Sequence, residues 1–186
     1  MTTHHVQSVL ALEGGRIGAV FGHTIARRGE IILRRFRFVL KFNGRNSRLN
    51  LSIYGTPSGP LSVKVSVRPR RFGGNIYTDA GGMWVSTDGE GHIQWVRLGG
   101  VNPIRWVTTQ SQSVIPLGEW SDLECIWDGK RLRIFINGRA DGEAECPPLF
   151  SSWRRAVGYN PFGTGSGYFE GDVDDLTIRS IPGVSQ

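Results

Sequence analysis

The sequence predicts an all-β fold, an antiparallel β-sandwich, and two observations support it. Apolar and polar residues alternate with a period of two in runs of five to seven residues, for example in 36–42 and 62–68. Glycine, proline, asparagine and serine fill the gaps between the runs, and glycine alone accounts for 26 of the 186 residues. Half-buried strands joined by tight turns are typical of antiparallel sheets. We expect a single domain over residues 1–186, with short flexible ends at 1–6 and 182–186.

The middle of the chain continues the alternation with more aromatic residues. Residues 83–87 and 92–97 flank Asp88-Gly89-Glu90-Gly91, whose composition is that of a hairpin turn. Residues 104–109 alternate again, and only 150–155 could form a helical turn. Because no internal repeat or linker interrupts this series, the pattern favours one continuous sandwich.

The C-terminal third predicts a three-stranded meander with a well-defined register. A strand over 120–127 ends at Asp128-Gly129, which has the composition of a type I′ turn. Leu, Ile and Ile then alternate through the return strand, 132–136, which ends at a second such turn, Asn137-Gly138. A third strand follows over 139–146. Two tight hairpins in tandem leave little freedom for the strands to slip.

Residues 119–178 resemble the signature of laminin G-like domains. That signature is a Trp-led strand, an Asp-Gly turn, an apolar return strand and Asn-Gly, followed by a Leu/Val-Gly step and a closing strand. Val157-Gly158 matches the step, and 169–178 matches the closing strand, with Asp175 in place of the usual Glu. The resemblance implies a concanavalin A-like jelly roll.

The closing strand contains a change of phase. Phe169 and Val173 fall on one face of an ideal strand, whereas Leu176 and Ile178 fall on the other. One extra residue is needed to bring both pairs to the same face. We therefore predict a β-bulge near Asp174-Asp175.

The two cysteines are too few for a disulfide framework. In the predicted meander, Cys125 and Cys146 lie on strands separated by a third strand. Neighbouring strands are about 4.8 Å apart, so this separation is too wide for a disulfide. We expect two buried free thiols.

The formal net charge of +6 does not by itself indicate a nucleic-acid partner. The arginines form short clusters, such as 34–37 and 68–71, and no expected helix would align them along a DNA groove. No run approaches the ~20 apolar residues of a membrane helix. The polar segment 1–7 lacks the composition of a signal peptide. Either a targeting segment is missing or the protein is used without secretion; we expect an extracellular, cell-surface or virion location.

Aromatic residues are the candidate sugar-binding groups, because a sugar ring can lay its C–H face on a flat aromatic ring. Those on the variable strands and loops are Trp84, Trp95, Trp106, Tyr159 and Phe162. Core packing is the alternative for each of them, and Trp120 and Trp127, within the meander, are expected in the core. Arg97 and Arg105 lie near two of the candidates, and arginine binds carboxylate or sulfate in a bidentate manner. These residues point to an acidic glycan.

Relatives of laminin G-like domains often hold a structural Ca²⁺ near the closing strand. The resemblance therefore implies a calcium site, for which Glu13 and Asp174 are the candidate ligands. Ca²⁺ prefers six to eight oxygen ligands, and a bulged Asp pair could supply some of them. The alternative is that Asp174 and Asp175 brace the bulge by hydrogen bonds alone.

We expect a non-catalytic carbohydrate-binding or adhesion module whose partner is a polysaccharide. One alternative is a structural virion protein, such as a phage capsid-decoration, neck or tail accessory protein, which contacts partner chains or forms a homo-oligomer. Another is a polysaccharide lyase or glycosidase. Catalysis is not expected, because no Glu-x-Asp-x-x-Glu or Glu-x-x-x-Glu stretch of the kind that retaining glycosidases use occurs in the sequence. Glu143 and Glu145 share a face of a predicted strand, but that strand belongs to the structural meander.

Overall fold

The structure is a computed structural model that describes eleven segments of the chain. They are residues 5–6, 12–13, 24–27, 30–33, 39–51, 59–79, 82–100, 103, 105–148, 155–159 and 167–181. Within these segments there are seventeen strands and no helix. The expected flexible ends lie mostly outside the described residues, as does the possible helical turn at 150–155 apart from its last residue.

In order the strands are β1 His5–Val6, β2 Leu12–Glu13, β3 Thr24–Arg27, β4 Glu30–Leu33, β5 Leu40–Asn43, β6 Arg48–Leu51, β7 Leu61–Arg71, β8 Gly74–Asp79, β9 Met83–Thr87, β10 His92–Gly99, β11 Arg105–Val114, β12 Ser121–Trp127, β13 Arg131–Ile136, β14 Arg139–Glu145, β15 Arg155–Val157, β16 Gly167–Tyr168 and β17 Glu170–Ser180. The strands near the N-terminus are short, and the two longest are β7 and β17, with 11 residues each.

Two sheets form the predicted sandwich. Sheet 1 has the order β1-β3-β4-β17-β7-β12-β13-β14, and β5 also pairs with β17. Sheet 2 has the order β11-β10-β9-β8-β15-β6-β2, and β16 pairs with β8. The pairing is antiparallel throughout the described strands except between β16 and β8. The all-β antiparallel prediction is therefore confirmed.

The core lies between the sheets and is built by alternate residues of each strand. From sheet 1 it takes the valines of β7 and every second residue of β12, including Leu123 and Trp127. From sheet 2 it takes Val85 of β9 together with Ile93 and Trp95 of β10. In β12 and β13 the period-two pattern assigns one face to the core, as in a half-solvated antiparallel sheet, whereas β8 is buried on both faces.

The predicted meander β12-β13-β14 is confirmed, and so is its second turn, where Asn137 and Gly138 have the positive φ values, 50° and 78°, of a type I′ turn. The first turn is not of the predicted type I′. Gly129 has a φ of 102°, but Asp128 has no positive φ, and its Oδ1 instead accepts the N–H groups of Lys130 and Arg131.

The register of β17 against β7 shifts between Asp174 and Thr177, and Asp175 has a φ of 47°. This is the predicted bulge. Both cysteines are buried free thiols.

The edges of the two sheets meet at β11 and β14. Asp141 of β14 accepts hydrogen bonds from the backbone N–H groups of Gln112 and Ser113 of β11, at 2.7 and 2.8 Å. Beside it, a side chain at Gly142 would collide with the backbone carbonyl oxygen of Gln110. The edge of sheet 2 is therefore held against sheet 1 by one carboxylate and one close backbone approach. Within the described ranges no helix is long and apolar enough to cross a membrane.

Candidate functional site

The outer face of sheet 2 carries a pair of tryptophans. Trp84 of β9 lies opposite Val96 of β10, and Trp106 of β11 lies opposite Leu98 of β10. All four are out of phase with the core residues of their strands, so they point away from the sandwich. The two indole rings are 4.9 Å apart with a 53° tilt. Trp106 is 53% exposed, and the pair therefore offers an aromatic surface to solvent.

A row of uncharged polar residues lies beside the tryptophan pair. Gln94 of β10 lies opposite Gln110 of β11 on one side and Ser86 of β9 on the other. Directly opposite residues on one face have their Cβ atoms about 5 Å apart, so the two amides are neighbours. The outer face of β9–β11 consequently combines aromatic rings with groups that can bind hydroxyls.

Asp88, in the β9–β10 turn, orders the polar end of this face. Its Oδ1 accepts three backbone hydrogen bonds, from Glu90, Gly91 and His92, at 2.7–3.0 Å. Its Oδ2 accepts a hydrogen bond from Nε2 of Gln110 at 3.1 Å and lies 3.0 Å from Nδ1 of His92. Burial alone would raise the pKa of Asp88, but these hydrogen bonds outweigh burial and lower it. The group is a carboxylate that accepts and does not donate.

The prediction that Trp95 and Arg97 reach a ligand is wrong. Both lie on β10 in phase with Ile93, so they point into the core: Trp95 is fully buried and Arg97 is 5% exposed. The Arg97 guanidinium lies 3.9 Å from the ring centroid of Trp127. Its pKa is lowered by burial, which the neighbouring Asp79 carboxylate partly opposes. Arg97 is therefore a core cation.

Arg105 is exposed, but the structure does not bring it together with Trp106. The two are consecutive residues of β11, and consecutive side chains of a strand point to opposite faces. Arg105 lies instead on the side of Cys146, whose thiol pKa it helps to lower against the dominant effect of burial. The two arginines that suggested an acidic glycan are thus absent from the tryptophan face.

Tyr159 belongs to a different cluster on the far side of sheet 2. Its ring stacks on that of Tyr168 with centroids 5.8 Å apart and an angle of 13°. The Arg48 guanidinium lies 5.4 Å from the Tyr159 ring centroid. Because Tyr159 follows β15 and Arg48 begins β6, this cluster is separated from the tryptophan pair by β8. Phe162, the other candidate of that loop, lies outside the described residues.

Trp120, expected in the core, is 40% exposed and was missed as a surface residue. It precedes β12, and the Arg68 guanidinium lies 5.2 Å from its ring centroid. A signal for this was present in the sequence. The core residues of β12 are odd-numbered, so an even-numbered tryptophan at its start falls on the outer face with Asp122.

A family model described as the concanavalin A-like lectin/glucanases superfamily matches residues 43–182, which is more than half of the chain. The chain belongs to this superfamily. The resemblance seen in the C-terminal third is thereby confirmed over most of the described sandwich. A search of curated protein sequences finds no match.

Solved structures confirm the concanavalin A-like fold at low sequence identity. Domain 4 of AbnA, an extracellular arabinanase of Geobacillus stearothermophilus solved with arabinotriose, has a TM-score of 0.59 and 20% identity, covering 92% of this chain and 82% of that one. Mouse laminin α1 domains LG4–5 have a TM-score of 0.62 and 16% identity, and the match covers 83% of this chain and 41% of that one. The binding domain of botulinum neurotoxin DC, solved with SialylT, has a TM-score of 0.59 and 8% identity, and the match covers 95% of this chain and 44% of that one.

Of the two predicted calcium ligands, only Asp174 has a side chain that the structure describes. No three His, Cys, Asp or Glu side chains converge anywhere in the described part of the chain. Asp174 Oδ1 accepts the backbone N–H of Asp175 at 2.8 Å, which braces the bulge. Glu13 is described only as a strand residue opposite Arg48. One carboxylate falls short of the six to eight oxygens that Ca²⁺ takes. Calcium at Glu13 and Asp174 stays a prediction, tested by the thermal unfolding midpoint with and without EDTA.

Proposed function

We propose that this superfamily member is a non-catalytic module that binds a glycan on the outer face of sheet 2. One observation carries the proposal: Trp84 and Trp106 form a contiguous aromatic surface beside Gln94 and Gln110. Sugar rings have apolar C–H faces and polar edges, so they fit a surface that offers aromatic rings and hydrogen-bonding amides together.

The structural neighbours support a glycan as the ligand. The arabinanase domain was solved with arabinotriose, and the toxin binding domain with SialylT. The arabinanase is extracellular, which supports a place for this chain outside the cell. Each of these chains is less than 25% identical to this one, so the neighbours support the class of ligand and no individual sugar.

The absence of catalysis is part of the proposal. The carboxylate nearest the polar row is Asp88, and its two oxygens are already engaged by backbone, His92 and Gln110. Such a group is poorly placed to exchange a proton with a glycosidic oxygen. Glu143, which shares a face of β14 with Glu145, is bound by Arg131 and Arg133 on the outer face of sheet 1. The tryptophan face therefore suits binding better than bond cleavage.

The test is affinity electrophoresis through gels containing arabinan, xylan or mixed-linkage β-glucan as neutral polymers and polygalacturonate or dextran sulfate as acidic ones. We expect retardation by at least one polymer. Trp106→Ala should weaken it about thirtyfold, because truncating a central aromatic group of a binding surface costs about 2 kcal/mol. Trp120→Ala is the matched control, since it removes an exposed tryptophan from the opposite sheet.

Two results would overturn the proposal. Equal retardation of Trp106→Ala and the wild type would remove the tryptophan pair as the binding surface. Absence of retardation by every polymer would favour the structural role in a protein assembly, which sedimentation analysis of the oligomeric state would then examine.

A further inference from the structure

Asp88 determines which atom of Gln110 faces a ligand. A carboxylate has no hydrogen to donate, so the atom of Gln110 that lies 3.1 Å from Asp88 Oδ2 is the amide nitrogen. The carbonyl oxygen, Oε1, therefore lies on the side of the amide that points away from Asp88. The same argument makes Nδ1 of His92 a donor to Asp88.

The groups around this amide favour hydroxyls and disfavour anions. Gln110 is exposed and lies on the face of the tryptophan pair. Glu90, whose side chain is 84% exposed, and Asp88 are the carboxylates of the adjoining turn. No lysine or arginine occurs among the described outer-face residues of β8–β11. Acceptor atoms beside two negative charges attract hydroxyl hydrogens and repel a carboxylate or sulfate.

We propose that Asp88 is a positioning residue that holds Gln110 with its carbonyl oxygen towards the ligand, so that the site selects neutral glycans with free hydroxyls over acidic glycans. This inference rests on the proposed glycan-binding function. It reverses the preference that Arg97 and Arg105 suggested, because neither side chain lies on this face.

The discriminating variant is Asp88→Asn. Asparagine keeps Oδ1 for the three backbone hydrogen bonds of the turn but replaces Oδ2 with an NH₂ group. Two NH₂ groups cannot bond to each other, so the Gln110 amide turns over and presents its nitrogen to the ligand. We expect retention on neutral polymers to fall roughly threefold to tenfold, the usual range for one hydrogen bond. The ratio of acidic to neutral retention should rise.

A matched control is available in the β12–β13 turn. Asp128 Oδ1 accepts the backbone N–H groups of Lys130 and Arg131 at 2.9 and 2.8 Å, which is the same turn role on the other sheet. Asp128→Asn should leave retention on every polymer unchanged. Gln110→Ala should lower retention on neutral polymers as Asp88→Asn does. It should not increase retention on acidic polymers, because alanine presents no NH₂ group to them. Thermal unfolding of each variant separates loss of binding from loss of fold.

The outcomes distinguish this inference from the proposed function. If Trp106→Ala abolishes retention while Asp88→Asn and Gln110→Ala behave as the wild type, glycan binding stands and the positioning role is refuted. Stronger retention of the wild type by acidic than by neutral polymers also refutes the selectivity. If no polymer retards the wild type, both proposals fail together.

Discussion

Replacing Asp172 with asparagine should destabilise the sandwich measurably, because its carboxylate holds two arginines on the outer face of sheet 1. Asp172 is 1% exposed and accepts two hydrogen bonds from Arg68 and one from Arg70. Asparagine keeps the shape of the side chain. It replaces one acceptor oxygen with an NH₂ group, which would face a guanidinium N–H, and it removes the charge.

The loss of unfolding free energy expected for Asp172→Asn lies between two known limits. Breaking a fully buried ion pair costs about 3–5 kcal/mol, whereas exposed pairs contribute about 0–1 kcal/mol. The side chains of Arg68 and Arg70 are 39% and 43% exposed, so water replaces part of the lost interaction. We expect a loss of about 2 kcal/mol in the free energy of unfolding at pH 7, or about 4–8 °C in Tm for a chain of this size.

The effect should depend on pH in a defined direction. Burial alone would raise the pKa of Asp172, but the hydrogen bonds and positive charges of Arg68 and Arg70 outweigh burial and lower it. Because the pKa of Asp172 is lower in the folded state, the carboxylate stabilises the folded protein fully at pH values above its unfolded-state pKa, near 4. This stabilisation is lost as the pH falls through the folded-state pKa. The difference between wild type and Asp172→Asn should be constant above about pH 5 and shrink below about pH 4.

Urea unfolding at several pH values measures this difference. The control is Glu124→Gln, which removes a half-exposed partner of Lys64 on the same face and should change stability by less than about 0.5 kcal/mol. The reasoning is refuted if Asp172→Asn unfolds at the wild-type urea concentration at pH 7. It is equally refuted if the gap at pH 3.5 is as large as at pH 7.

Three further predictions concern the sheet edge and the core. Gly142→Ala should lower stability by about 1–3 kcal/mol, because the added methyl group collides with the backbone carbonyl oxygen of Gln110; thermal unfolding measures it. Asp141→Ala should cost about 1 kcal/mol, since two backbone N–H groups of β11 lose their acceptor, and hydrogen exchange at those amides should accelerate. Burial raises the pKa of the Cys125 and Cys146 thiols, so both should resist a thiol reagent until the protein is unfolded, and rapid labelling of the native protein would contradict this.

The sequence predicted well those features that are determined locally. The turns at Asp128-Gly129 and Asn137-Gly138 require positive φ, and residues that tolerate it stand at both places. The bulge at Asp174-Asp175 was visible because the apolar positions on either side of it are out of phase. Each of these depends on a few consecutive residues, so no knowledge of the tertiary structure was needed.

The faces of sheet 2 could not be assigned from the sequence. In β10, Val96 and Trp95 are both buried although they point to opposite faces, so alternation alone does not identify the core side. Arg97 shows why a charged residue did not identify the solvent-facing side of β10. A guanidinium can be buried if an aromatic ring and a carboxylate lie near it, and its neighbour Trp127 comes from the other sheet. Contacts between sheets depend on the whole topology, which local patterns do not contain.

The contrast between the two outer faces explains why we place the ligand on sheet 2 and not beside Trp120. The outer face of sheet 1 is covered by ion pairs, and a ligand there would have to displace strongly hydrated charges. They are Arg68–Asp172, Arg70–Asp172, Lys64–Glu124, Arg131–Glu143 and Arg133–Glu143. Trp120 is itself covered on one side by Arg68. The described strand partners of Trp84 and Trp106 are uncharged, so water is released from the two rings at lower cost and a sugar can contact them directly.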